Sequence, residues 1–206
     1  MLRFHELAPS PNNLKVRAAL VFKQIPFEAT PIDPTDRSNL VEISGQELSP
    51  VIEDRGIVLH DSEAILHYLD ANYPQTPKLY PPARNERKAC DAFKESIDRK
   101  MARPWFPVFF YGLGLREEFD ERAPLRFRQA LSWLEEQLGE RDSFGGEQQA
   151  PIMDLRAAVW ACYAFPPPGL TARSPAMKKV QQLLAADPAQ TPRLVEALAP
   201  WFERLG

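Results

Sequence analysis

Hydroxyls, carboxylates and amides at the starts of helices are the groups in this sequence with chemistry to offer. Ser10 stands in the run A-P-S-P-N-N-L-K-V-R, with Pro11 placed to open a helix. A side chain there meets free backbone N–H groups and the positive end of a helix dipole, which favours an anion. Ser10 is therefore either a helix cap or a donor to a bound anion. Asn12 follows in the same first turn. Asp61 and Ser62 head a second helical run, where capping and anion binding are compatible uses of one geometry. Ser49-Pro50 opens the strand that leads there. Lys15 and Arg17 are expected on a solvated helix face, Arg17 within reach of the same site. His5, His60 and His67 have no metal-ligand spacing, and no G-x-S-x-G elbow supports a Ser-His-Asp hydrolase. Cys90 and Cys162 form no C-x-x-C pair and are expected to be buried, inert thiols.

The elements that must position these groups follow from local pattern. Residues 2–7 read as a strand. Leu14, Ala18, Val21 and Phe22 form a helical stripe, with Lys15 and Lys23 off it. Residues 27–31 read as a second strand, and 33–43 as a weak helix or irregular. Residues 49–53 are a short strand carrying a proline, which a central strand would not tolerate. Asp54-Arg55-Gly56 supplies a tight turn, residues 57–59 the returning strand, and Ile65, Leu66 and Leu69 the apolar face of a helix ending near Tyr73. The order is β-α-β-α-β-β-α. Residues 74–82, PQTPKLYPP, are the best linker, so the expected division is 1–74, a linker at 75–84, and 85–206.

Everything readable after Asn85 is helical. Ala89, Phe93 and Ile97 are expected to share one face, as are Phe127, Leu131, Leu134 and Leu138. Pro104 and Pro107 should kink or interrupt the helix that holds them. Residues 143–151 read as a loop, 154–165 as a mostly buried helix, and 175–186 and 192–205 as the last two. Trp105, Phe106, Phe109, Phe110 and Tyr111 are either core or the wall of an apolar pocket facing Ser10.

Composition narrows the function classes. The 206 residues are 44% hydrophobic and 26% charged, with a net charge of −3. No run of basic residues and no net positive charge point to nucleic acid or an anionic membrane as a partner. No apolar window is long enough to span a bilayer, and the opening MLRFHELAPS lacks a signal-peptide pattern, so the expectation is a cytoplasmic protein.

A strand opened by X-Pro, a hairpin, and an acidic-Ser pair starting a helix resemble the second half of the N-terminal domain of the cytosolic glutathione transferases. The α/β unit followed by a helical unit is similar to that family's two-domain plan: a thioredoxin-like domain, then an all-α bundle. The resemblance implies that Pro50 is cis, that the backbone at Ser49 and Pro50 pairs with the cysteinyl part of glutathione, and that Asp61 and Ser62 hold its γ-glutamyl end. It implies, on the pattern of the serine-type and related bacterial members, that the Ser10 hydroxyl hydrogen-bonds the sulfur. A free thiol with a pKa of about 8.5 is mostly protonated at neutral pH, and a donor that favours the thiolate makes the nucleophile. Asn12 is similar to an Asn of some bacterial members that contacts the sulfur and supports disulfide or peroxide reduction. The expected function is thiolate attack on a small hydrophobic electrophile, by a homodimer, with glutathione as co-substrate and no metal. Glutathione-dependent disulfide or peroxide reduction and a non-catalytic binding or scaffold role are the rivals. This chain departs from the family's usual Glu-Ser at Asp61, from its frequent Val or Ile at Ser49, and from its helix capping box, here Pro151-Ile152-Met153-Asp154, where the hydroxyl is lost. The loop at Gln46 and Glu47 is longer than the common pattern, which leaves their contacts with glutathione open.

Overall fold

The computed structural model describes residues 1–7, 10–146, 150–173 and 177–205. Two compact units divide it, Met1–Leu79 and Tyr80–Gly206. The first contains β1 (Leu2–Glu6), α1 (Pro11–Phe22), β2 (Phe27–Pro31), α2 (Ser38–Ser44), β3 (Val51–Asp54), β4 (Ile57–His60) and α3 (Ser62–Asn72). It is a thioredoxin-like arrangement with a mixed sheet in the order β2-β1-β3-β4. β1 runs parallel to β2 and antiparallel to β3, which pairs antiparallel with β4. Arg55 and Gly56 both take positive φ, 52° and 80°, as a two-residue hairpin loop with the twist of its strands requires.

β3 lies inside the sheet, contrary to the reading that its proline would keep the strand from the centre. The strand begins one residue later than expected, at Val51, so Pro50 stands outside the ladder and no hydrogen bond is forfeited. Leu2, Phe4, Val51 and Ile52 of the two inner strands are buried together with Ile65, Leu66 and Leu69 of α3.

Lys15 and Lys23 are buried, not solvated, because the faces of α1 are covered nearly all round. Lys23 is fully enclosed. Its Nζ donates to Asp70 Oδ1 at 2.7 Å and to the Pro77 carbonyl at 2.8 Å. The Asp70 carboxylate also accepts the Leu79 N–H. The proline-rich stretch expected to be a linker has no helix or strand, but these bonds and the buried Leu79 fasten its first part to the unit.

The second unit contains α4 (Arg84–Gly112), α5 (Ala123–Leu138), α6 (Pro151–Ala161), α7 (Pro168–Arg173), α8 (Met177–Leu184), a 3₁₀ turn at Pro188–Gln190, and α9 (Pro192–Leu205). The expected helix over 175–186 is α8 from Met177 onward; its first two residues lie outside the described ones. Pro104 and Pro107 do not interrupt α4, which runs through both for 29 residues. Each removes one donor, while Met101, Trp105 and Val108 keep the helix anchored by their burial. The buried stripe of α4 starts at Cys90 and not at Ala89, which is exposed. α4 packs against α5, α6 and α8, and α6 against α9.

Asp154, in the incomplete capping box, binds the preceding loop instead. Its buried carboxylate accepts the N–H of Phe144 at 2.6 Å and of Gly145 at 3.2 Å. Gly145 has no room for a Cβ, which would meet the Ala150 carbonyl oxygen at 2.7 Å. Burial pushes the Asp154 carboxyl from 3.8 up to about 6, against the pull of the two N–H donors. The folded state thus favours the protonated acid. The corresponding stability is fully present below pH 4 and lost as pH rises through 6, worth about 3 kcal/mol for a shift of roughly two units. Relative to Asp154→Asn, which cannot titrate, the wild type is expected to lose stability between pH 4 and pH 7 in urea unfolding. A difference that stays flat with pH would contradict this.

Candidate functional site

The start of α1 carries an uncommitted hydroxyl. Ser10 occupies the N-cap position with extended backbone, φ −78° and ψ 129°, yet its side chain makes no capping hydrogen bond. Its carbonyl accepts the Leu14 N–H and its N–H donates to the Leu7 carbonyl, so the backbone is fixed while the half-exposed hydroxyl is not spent. The first turn of α1 contains no acidic residue. A positive helix end with a free donor and no competing carboxylate suits an anion.

Asn12 and Ser62 come together from two helix starts. Lys15 Nζ donates to Ser62 Oγ at 3.2 Å and to Glu63 Oε1 at 2.8 Å. An ammonium can only donate, so Ser62 Oγ is the acceptor and its proton goes to Asn12 Oδ1, 3.3 Å away. The Asn12 carbonyl oxygen is thereby occupied, and its exposed Nδ2 remains a donor. Asp61 stands at φ 72°, uncommon for a residue with a Cβ. Its Oδ1 caps α3, accepting Glu63 N–H at 3.0 Å and Ala64 N–H at 2.9 Å, and its Oδ2 makes no hydrogen bond.

Ser49 and Pro50 are joined by a cis peptide bond, as the family resemblance implied. Asn13, which nothing in the periodicity singled out, ties this loop to α1. Its Oδ1 accepts the Leu7 N–H at 3.1 Å and its Nδ2 donates to Ser49 Oγ at 3.0 Å. Gln46 is spent on its own loop, donating to the Leu48 carbonyl and accepting the Leu48 N–H, both at 2.6 Å. The Glu47 carbonyl accepts from Arg37 at 2.8 Å. Arg17, half-buried, pairs with buried Glu6 rather than facing solvent.

The remaining candidates separate. His5 is buried with Nε2 2.8 Å from Glu53 Oε1, while His60 and His67 are exposed. Among the described residues, no group of three or more His, Cys, Asp or Glu could hold a metal ion. No described helix is long and apolar enough to cross a membrane. Both cysteines are buried and outside any disulfide, and burial raises the Cys90 thiol pKa. Trp105 is core, stacked on Phe109 at 4.2 Å and edge-on to Trp160, whereas Phe106 and Phe110 are exposed.

Residues 4–77 match the family model described as the glutathione S-transferase N-terminal domain. The first unit of this chain therefore carries the N-terminal domain of the glutathione S-transferases. The chain is 31% identical over 145 residues to the probable glutathione S-transferase parA of Nicotiana tabacum, an alignment spanning 68% of this chain and 62% of that relative. It is also 30% identical over 97 residues to a stringent starvation protein A homolog of Pasteurella multocida, across 46% of this chain and 42% of that one. Among solved structures, a rice glutathione S-transferase in complex with glutathione superposes with a TM-score of 0.72 over all of this chain and 87% of its own, at 24% identity. That likeness is one of fold, and it extends through the helical unit.

Proposed function

We propose that this chain binds glutathione and activates it as a thiolate for attack on a small hydrophobic electrophile. The observation that carries the reading is the Ser10 hydroxyl, held at a helix start and left out of the helix cap. In this reading the sulfur lies at the start of α1, where the hydroxyl and the helix dipole favour its anion. The cysteinyl backbone pairs beside Ser49 and Pro50. The Ser62 hydroxyl is spent between Lys15 and Asn12, so its backbone N–H at the start of α3 meets the γ-glutamyl carboxylate, and the open Oδ2 of Asp61 accepts its ammonium. The chain's residues bind and orient; the nucleophile belongs to glutathione. Exposed Leu48, Ile57 and Val58 give the first unit apolar surface that a second copy would cover in a homodimer. Two cysteines outside any disulfide fit a reducing cytoplasm.

The Asp61→Asn variant keeps a cap acceptor and removes the charge. It is expected to weaken glutathione binding about tenfold by calorimetry, the scale of one hydrogen bond to a charged group. Unchanged affinity would remove Asp61 from the ligand.

Two rivals stand beside it. The outward Nδ2 of Asn12 could donate to a sulfur in glutathione-dependent disulfide or peroxide reduction. A binding or scaffold role without turnover is the other. Assays with electrophiles, a disulfide and a peroxide separate the three: conjugation supports the first reading, reduction alone the second, binding without turnover the third.

A further inference from the structure

We propose that the Ser49 hydroxyl is a second donor to the bound thiolate, alongside Ser10; this rests on the glutathione reading above. The direction of each hydrogen bond decides it. The Leu7 backbone N–H can only donate, so the atom of Asn13 facing it at 3.1 Å must be Oδ1. Nδ2 of the same amide then faces Ser49 Oγ at 3.0 Å, and it too can only donate. Ser49 Oγ is therefore an acceptor in this contact, and its own proton is left over. Among the described residues that proton has no acceptor. Asn13 is completely buried, so water does not compete for the amide or release its orientation.

The place of this leftover proton gives it a use. Asn13 lies in the first turn of α1, three residues beyond Ser10, and anchors Ser49 Oγ to the helix start where the sulfur is placed. Ser49 is half-exposed, open to a ligand, while Pro50 beside it is buried. An unspent donor next to a positive helix end and away from any first-turn carboxylate favours an anion over a neutral thiol. A valine or isoleucine at this position would have no donor to offer, whereas Ser49 has one.

The test is a thiolate absorbance titration of the glutathione complexes of the wild type and of Ser49→Ala, Ser49→Thr and Ser10→Ala. Ser49→Ala is expected to raise the pKa of the bound thiol by about half to one unit, as loss of one hydrogen bond to the charged form should. Ser49→Thr keeps the hydroxyl and is expected to restore the wild-type value. Ser49→Val supplies a second hydroxyl-free chain if the alanine variant does not fold. A bound thiol pKa unchanged in the hydroxyl-free variants, while Ser10→Ala raises it, overturns the Ser49 role and leaves the glutathione reading standing. Loss of affinity without a shift in pKa also overturns it. Failure of the wild type to bind glutathione overturns both.

Discussion

Replacing Ser10 with alanine is expected to cut kcat/KM for glutathione conjugation by about 10- to 100-fold while leaving the stability of the fold within about 0.5 kcal/mol of wild type. The two halves of this expectation have one cause. A serine that caps a helix loses about 1 kcal/mol of stability on truncation, because its oxygen satisfies a backbone donor. Ser10 does not cap α1, so its hydroxyl contributes little to folding and is available for the ligand. The loss should appear as a raised pKa of the bound thiol and a pH–rate profile displaced upward, because the missing donor favoured the thiolate. Steady-state kinetics across pH and urea unfolding of the same variant check both halves. A variant that is less stable by 1 kcal/mol yet fully active would make Ser10 a cap and nothing more.

The Asp70→Leu variant is expected to destabilise the first unit by about 3–5 kcal/mol, the cost of leaving one member of a buried ion pair uncompensated. Lys23 is completely buried, and without Asp70 its ammonium retains only the Pro77 carbonyl among the partners described above. The same change strands the Leu79 N–H, which the carboxylate accepts, so the damage reaches the segment leading to the second unit. Lys23→Met should cost less, since Asp70 keeps the Leu79 N–H and a thioether fills the space of the lysine stem. Urea midpoints of the two variants, followed by a probe in the first unit, give the order. Equal and small losses would mean that the pair is solvated in solution.

Several parts of this molecule are legible in its sequence. Hairpin chemistry at Asp54-Arg55-Gly56 and the cap at Asp61 are local, decided by residues within a few positions of one another, and they appear where the pattern put them. Ser10 was legible as the N-cap position of α1, but not the fact that its hydroxyl stays out of the cap. The α1 lysines depart from the expected solvated face for a physical reason. Periodicity separates a wet face from a dry one, but α1 is buried nearly all round, packs on α3, and has its polar residues satisfied by Glu6, by α3 and by the segment after α3. Asn13 left no signal because its partners, Leu7 and Ser49, lie 6 and 36 residues away. Only the double-aspect demand on its amide, one acceptor and one donor both met while fully buried, reveals it. In the helical unit the prolines were weighed by their lost donors alone, whereas the buried Met101, Trp105 and Val108 decide the course of α4.

The central claim is that a helix start in this chain holds glutathione as its thiolate. The most direct measurement is calorimetric titration of the wild-type protein with glutathione, followed by a thiolate absorbance titration of the complex. Saturable binding with the bound thiol titrating at least one unit below the ordinary value of about 8.5 is the predicted result. No binding, or binding with the thiol pKa unmoved, would contradict it.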